Sequence, residues 1–123
     1  MYPEDLKYTK DHEWIRVSGE TGRVGITRYA QEQLGDIVFV ELPEVGQSFT
    51  KGQQFGSIES VKAVSDLCCP LSGEIVEVNA GLIAKPESVN KDPHDAWMIT
   101  IKLTSSEELS DLLDANEYTD FVS

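Results

Sequence analysis

The sequence predicts a mainly β fold, a small sandwich or barrel with a few short helices at its margins. Three observations predict it. Turn-forming residues recur at short intervals, at Ser18-Gly19, Thr21-Gly22, Gly35-Asp36, Pro43-Glu44, Lys51-Gly52, Pro70 and Ser72-Gly73, with short apolar runs between them. The run Ile37-Val38-Phe39-Val40-Glu41-Leu42 is apolar almost throughout, the pattern of a strand covered on both sides. Trp97, Ile99, Ile101 and Leu103 alternate with Met98, Thr100 and Lys102, which predicts a strand with one face in the core.

Each element has its own local reason. Thr27 is placed to cap a short helix over Arg28–Leu34, and Gly35 to close it. The strand over 37–42 follows at once. V-G-Q-S-F-T-K-G-Q-Q-F-G before Lys62 and P-L-S-G-E-I-V-E-V-N after it each read as a turn leading into a strand, a weak internal repeat. If a hairpin joins those strands, Lys62 falls near its midpoint, where a type I turn accepts Val61-Lys62 without glycine. A turn of helix is expected near Pro86–Asn90. Ser105 and Glu108 have capping-box spacing and Leu109, Leu112 and Leu113 form an apolar stripe, so a C-terminal helical segment is predicted over about 105–122. Its acidic residues, Glu107, Glu108, Asp111, Asp114, Glu117 and Asp120, are expected to face solvent.

A chain of 123 residues suits one compact domain, 1–123, with a core over about 20–104. Acidic residues number 22 against 10 basic, for a formal charge of −12. So acidic a surface repels nucleic acid and anionic membrane, and suits partners with basic patches. No apolar run approaches the ~20 residues that cross a bilayer. M-Y-P-E-D-L-K-Y is neither a signal peptide nor an Arg-rich transit sequence. The bacterial cytoplasm is therefore expected, with the mitochondrial matrix as the alternative for a mature chain. Cys68 and Cys69 are adjacent, too few for a structural zinc site and ill placed for a disulfide, so free thiols are expected.

Catalytic material is sparse. His12 and His94 lie far apart without metal-spaced partners, and His12-Glu13 lacks the second histidine of a zincin motif. No nucleophile elbow, P-loop or dinucleotide fingerprint is present. No metal site and no catalytic residue is expected. Lys62 is the exception: it is the only basic residue between Gly52 and Ala84. Three readings are open for it. A lone turn lysine is ordinarily just solvated. A Schiff-base lysine needs a lowered pKa, whereas nearby Glu59 and Asp66 act the other way. Covalent modification suits an exposed turn, since an amide there removes the charge and extends the arm.

E-S-V-K-A followed by P-L-S-G-E-I-V-E-V-N resembles the glycine cleavage system H-protein family, small lipoate-bearing carriers. H-E-W-I at His12–Ile15, G-I-T-R-Y-A-Q-E-Q-L-G-D at Gly25–Asp36, V-F-V-E-L-P-E-V-G at Val38–Gly46 and V-N-K-D-P at Val89–Pro93 extend the resemblance, in order, over nearly the whole chain. The resemblance implies a lipoyl/biotinyl-type β-sandwich, a barrel-sandwich hybrid of two small sheets. It implies lipoic acid in amide linkage to Lys62 at a hairpin tip, and a carrier in place of an enzyme. The aminomethyl group of glycine would pass from the pyridoxal-phosphate-dependent glycine decarboxylase to the aminomethyltransferase. Dihydrolipoyl dehydrogenase would reoxidise the arm, and a lipoate ligase or lipoyl/octanoyl transferase would install it. A monomer is the expected state.

Glu13 and Asp66 match acidic positions of a pocket that shelters the loaded arm in this family. Gln33 stands where some members have a histidine, and it cannot titrate near neutral pH. Pro93-His94-Asp95-Ala96-Trp97 is one residue shorter than the usual loop and lacks its glycine, and Cys68-Cys69 replaces residues that are usually not cysteine. Exposed thiols there could exchange with the arm, although buried free cysteines are the commoner case. Other roles remain: a lipoyl-group reservoir, a 2-oxoacid dehydrogenase lipoyl domain, a small enzyme, or a biotinyl carrier. Biotin domains flank the lysine with methionines, where this chain has Val61 and Ala63.

Overall fold

The computed structural model describes residues 2–123, with Ser106 by its backbone alone. Among the described residues nine strands form two antiparallel sheets. The larger has the order β1 (Lys7–Tyr8), β2 (Glu13–Ser18), β3 (Thr21–Ile26), β9 (Ile99–Leu103), β8 (Gly73–Val78) and β5 (Ser48–Phe49). The smaller is β4 (Ile37–Glu41), β6 (Gln54–Ser60) and β7 (Val64–Cys68). Inward residues from both, among them Ile15, Val24, Val40, Ile58, Leu67 and Ile101, form the main core. Trp14 and Gly25 pair across β2 and β3, and any side chain at Gly25 would enter the indole, since a Cβ there would lie 2.6 Å from the ring.

Helix α1 (Arg28–Leu34) forms as the sequence predicts. Thr27 Oγ1 accepts from Ala30 N, and Gly35, at φ +80°, donates its N–H to Gln31 O. The helix expected near Pro86–Asn90 is α3 (Ser88–Lys91), and a further short helix, α2 (Ala80–Ala84), precedes it under an Asn79 cap.

Three expectations are corrected. β4 is not covered on both sides: Val38 and Phe39 are each half-exposed. The smaller sheet has the core on one face and solvent on the other. β9 errs in the opposite sense. Met98, Ile99, Thr100 and Ile101 are all buried. This strand lies mid-sheet between β3 and β8, and Thr100 is shielded on the outer face, donating to Glu77 Oε1. The C-terminal helix begins later than its leucines and serine imply. Ser105 makes no capping bond, and a 3-10 turn runs over Ser106–Asp111. Glu108, half-buried, accepts instead from the N–H and hydroxyl of Ser72, both at 2.8 Å. The true capping box is Asp114 with Glu117, opening α4 (Ala115–Val122).

The leucine stripe is divided by this rearrangement. Leu109 and Leu112 join the main core, while Leu113 packs on a second cluster of Tyr2, Leu6, Tyr8, Trp14, Ala115 and Tyr118. The Tyr118 hydroxyl reaches Thr27 Oγ1 at 2.7 Å and His12 Nδ1 at 2.8 Å, tying α4 to the start of α1. Tyr118→Phe is expected to cost about 1–3 kcal/mol, because it strips a buried partner from both groups. Urea unfolding should show a lower midpoint at unchanged slope; an unshifted midpoint would show that the two groups find other partners.

Candidate functional site

The site begins at the β6–β7 hairpin. Its tip is the three-residue loop Val61–Ala63, closed by Ser60 N donating to Ala63 O at 2.8 Å. Ser60 is buried, and its hydroxyl accepts from Lys62 N at 3.2 Å and Ala63 N at 3.1 Å. Val61 N donates to Asp36 O at 3.0 Å, fastening the tip to the loop after α1. The tip's backbone is thus held from inside, and its side chains point outward. Lys62 is exposed and has no ion-pair partner among the described residues, whereas Lys51 is taken by Asp111 at 2.7 Å. The stem of Lys62 passes Gly35, where a Cβ would lie 3.3 Å from Lys62 Cε.

The second part lies at the far end of β7. Glu13 opens β2 and is almost wholly buried. Its Oε1 accepts from the Thr9 hydroxyl at 2.7 Å and its Oε2 from Cys68 N at 3.3 Å. Burial pushes its carboxyl up to about 8, against the opposing effect of those two hydrogen bonds. Thr27 N donates to His12 O, so the N-terminal end of α1 is fixed beside Glu13. The two ends of α1 therefore stand by the two ends of β7. Lys62 meets Gly35 at one end, and Glu13 meets Cys68 at the other. The five residues of β7 between them span about 16 Å at 3.3 Å per residue.

Asp66 lies between these ends, exposed, on the β7 face shared by alternate residues Val64 and Cys68. Its Oδ1 accepts from Gln54 Nε2 at 3.1 Å. Gln33 is exposed on the last turn of α1, two residues before Gly35. Beyond Glu13 a cleft of about 220 Å³ opens between Thr9–Asp11, Cys69-Pro70 and Leu112-Leu113. Both thiols are free; Cys69 is buried and Cys68 half-buried. Ligand atoms of Asp11, Glu13 and Cys68 lie within 4.8 Å of one another. Burial first, then Glu13, Asp11 and Asp66, raise the Cys68 thiol, so it is a poor nucleophile at neutral pH. A metal at this trio would have to displace protons held on both Glu13 and Cys68.

A family model described as glycine cleavage H-protein matches residues 6–123. The chain belongs to the glycine cleavage H-protein family. A glycine cleavage system H protein from Koribacter versatilis is 58% identical over 120 residues, covering 98% of this chain and 93% of that one. The mitochondrial H protein of Pisum sativum is 55% identical over 119 residues, covering 96% of this chain and 72% of its own. The crystal structure of an H protein from Mycobacterium marinum superposes with a TM-score of 0.89 at 44% identity, covering 97% of each chain.

As an H protein of the glycine cleavage system, the chain is a lipoyl carrier, a component that serves catalysts without being one. The mainly β architecture of two antiparallel sheets with a C-terminal helix is that of its H-protein relative. Among the described residues no helix is long and apolar enough to cross a membrane. Lys62 adjoins one end of β7, Asp66 lies on it and Glu13 meets its other end, whereas Gln33 is placed only as an exposed residue of α1. Thr9, Ser60 and Gln54, which hold Glu13, the tip and Asp66, carry no sequence signal of their own. Thr9 and Glu13 are four apart without helical context, and Ser60 and Gln54 are ordinary strand residues.

Proposed function

We propose that Lys62 carries lipoic acid in amide linkage and that the track beside β7 receives the resulting arm. One observation carries this reading: an exposed, unpaired amine stands at the apex of a hairpin whose backbone is fixed by Ser60 and Asp36. A rigid tip presents the amine to a modifying enzyme and keeps the arm's root in place afterwards. The residues fit such a group, since the Lys62 stem already lies against a glycine that leaves room beside it. Lipoic acid so attached supplies a dithiolane able to take up the aminomethyl group of glycine.

This chain's own residues then bind and orient. Gln33 and Asp66 flank the track, and Gln33 offers hydrogen bonds at any physiological pH. Glu13 closes the far end as a carboxyl whose Oε atoms can accept from an amine. An ammonium beside it draws its pKa down again, so arrival of a cation would release the Glu13 proton. The partners that fit this role are glycine decarboxylase, the aminomethyltransferase, dihydrolipoyl dehydrogenase and a lipoate ligase or lipoyl/octanoyl transferase. The bacterial cytoplasm is the compartment proposed.

Protein isolated from a lipoate-competent host is expected to show an intact-mass increment of one lipoyl group, with peptide mapping placing it on Lys62. An adduct on Lys51 or Lys85, or a biotin mass, would overturn the assignment.

A further inference from the structure

Asn90 uses both ends of its side-chain amide on the loop that supports the lysine. Its Oδ1 accepts from Ile37 N and its Nδ2 donates to Gly35 O, each at 2.9 Å. Ile37 N can only donate and Gly35 O can only accept, so a single orientation of the amide satisfies both. Asp36, between them, is the residue whose carbonyl accepts from Val61 N at the hairpin tip. Gly35 is also the residue the Lys62 stem passes. Asn90 itself is anchored, since it follows Val89, which is fully buried on α3.

One side chain therefore fixes the peptide unit that carries the tip-anchoring carbonyl, through Ile37 N, and the unit before it, through Gly35 O. Gly35, at φ +80°, is otherwise the most freely rotating point of that loop. We propose that Asn90 is a positioning residue for Lys62. Through the 35–37 segment it holds the hairpin tip in the orientation that presents the lysine. The inference rests on the reading of Lys62 as the attachment site, and it assigns to α3 a task in presenting that lysine.

The tip contains its own control. Val61 N depends on Asp36, whereas Ala63 N is bonded to Ser60 Oγ within the hairpin. Loss of the clamp should therefore loosen Val61 and leave Ala63 alone. The test is amide hydrogen exchange on the full-length unlipoylated protein, comparing wild type, Asn90→Ala and the near-isosteric Asn90→Asp, which cannot donate to Gly35. Ile101→Val, a core truncation on β9, serves as the reference for general destabilisation. Both Asn90 variants are expected to speed exchange at Val61 about tenfold relative to Ala63. With a lipoate ligase, kcat/KM for modification of Lys62 should fall several-fold in both variants and stay near wild type in Ile101→Val. Exchange at Val61 that is unchanged, or that rises only in step with Ala63 as in Ile101→Val, would overturn the inference. If wild type takes no adduct at Lys62, the attachment reading fails, and the exchange comparison still decides whether Asn90 holds the tip.

Discussion

Lys62→Arg is expected to leave the fold intact and to reduce carrier activity to background. Arginine keeps the charge and much of the length, but its guanidinium offers no amine for an amide bond at any accessible pH. The loop does not depend on the lysine side chain. Its closure is made by the backbone of Ser60, Val61 and Ala63, the hydroxyl of Ser60 and the carbonyl of Asp36. The urea midpoint should match wild type, as is usual for an exposed substitution. A lipoate ligase should add no mass to the variant, and a reconstituted glycine decarboxylation assay should show no turnover above that without carrier. Retained turnover would remove Lys62 from the mechanism. A large loss of stability would show that the lysine serves the fold.

The second large effect concerns Glu13. Its carboxyl titrates from 4.5 in the unfolded chain to about 8 in the folded one, chiefly through burial. Between those values the folded protein binds more protons than the unfolded, so stability falls as pH rises. The contribution is complete below the unfolded value and lost once pH passes the folded one. Each unit of difference is about 1.4 kcal/mol, which puts the loss by pH 9 on the order of a few kcal/mol.

Glu13→Gln is expected to remove that slope. Glutamine mimics the protonated acid, and its amide can bond Thr9 and Cys68 N once the Thr9 hydroxyl turns. Wild type and variant should be about equally stable near pH 4, below the unfolded value, with the variant ahead by pH 9, as read from urea midpoints across that range. The wild-type minus variant difference isolates Glu13 from the other carboxylates of this acidic chain. Parallel profiles would mean that Glu13 is ionised throughout and is stabilised by contacts stronger than its burial.

How much of this could be read in advance depended on whether a signal was local. Thr27 and Gly35 bracket α1 with their own hydrogen bonds, and the sequence places that helix correctly. Lys62 stood out by position alone and does sit at a hairpin tip. The returning strand, however, is β7, not the strand of P-L-S-G-E-I-V-E-V-N, which is β8 of the larger sheet and pairs with β5 and β9. The covering of strands was not local. Apolar periodicity gives a strand's period but not the number of layers over it, so β4 and β9 were misread in opposite senses. The late start of the C-terminal helix has a sharper cause. Ser105 with Glu108 and Asp114 with Glu117 share one spacing, and Ser72, far back in the chain, decides between them by engaging Glu108.

The site divides along the same line. Glu13 was named only through the family's motif, because its burial depends on Cys68, 55 residues away. Gln33 and Asp66 were likewise named only through the family's motif, and the role proposed for them depends on how α1 and β7 sit together. No window of sequence contains that geometry.

The divided leucine stripe bears on how the protein comes apart. Leu112 and Leu113 are consecutive, yet one is embedded in the main core and the other in the tyrosine-rich cluster. Leu112 is extended, so the pair projects to opposite sides of the chain. A single peptide bond thus welds two hydrophobic reservoirs, and neither can open without tugging the other. Both tryptophans, Trp14 and Trp97, belong to the tyrosine-rich side. Intrinsic fluorescence therefore watches only one reservoir, and it speaks for the whole molecule to the extent that this weld makes melting cooperative.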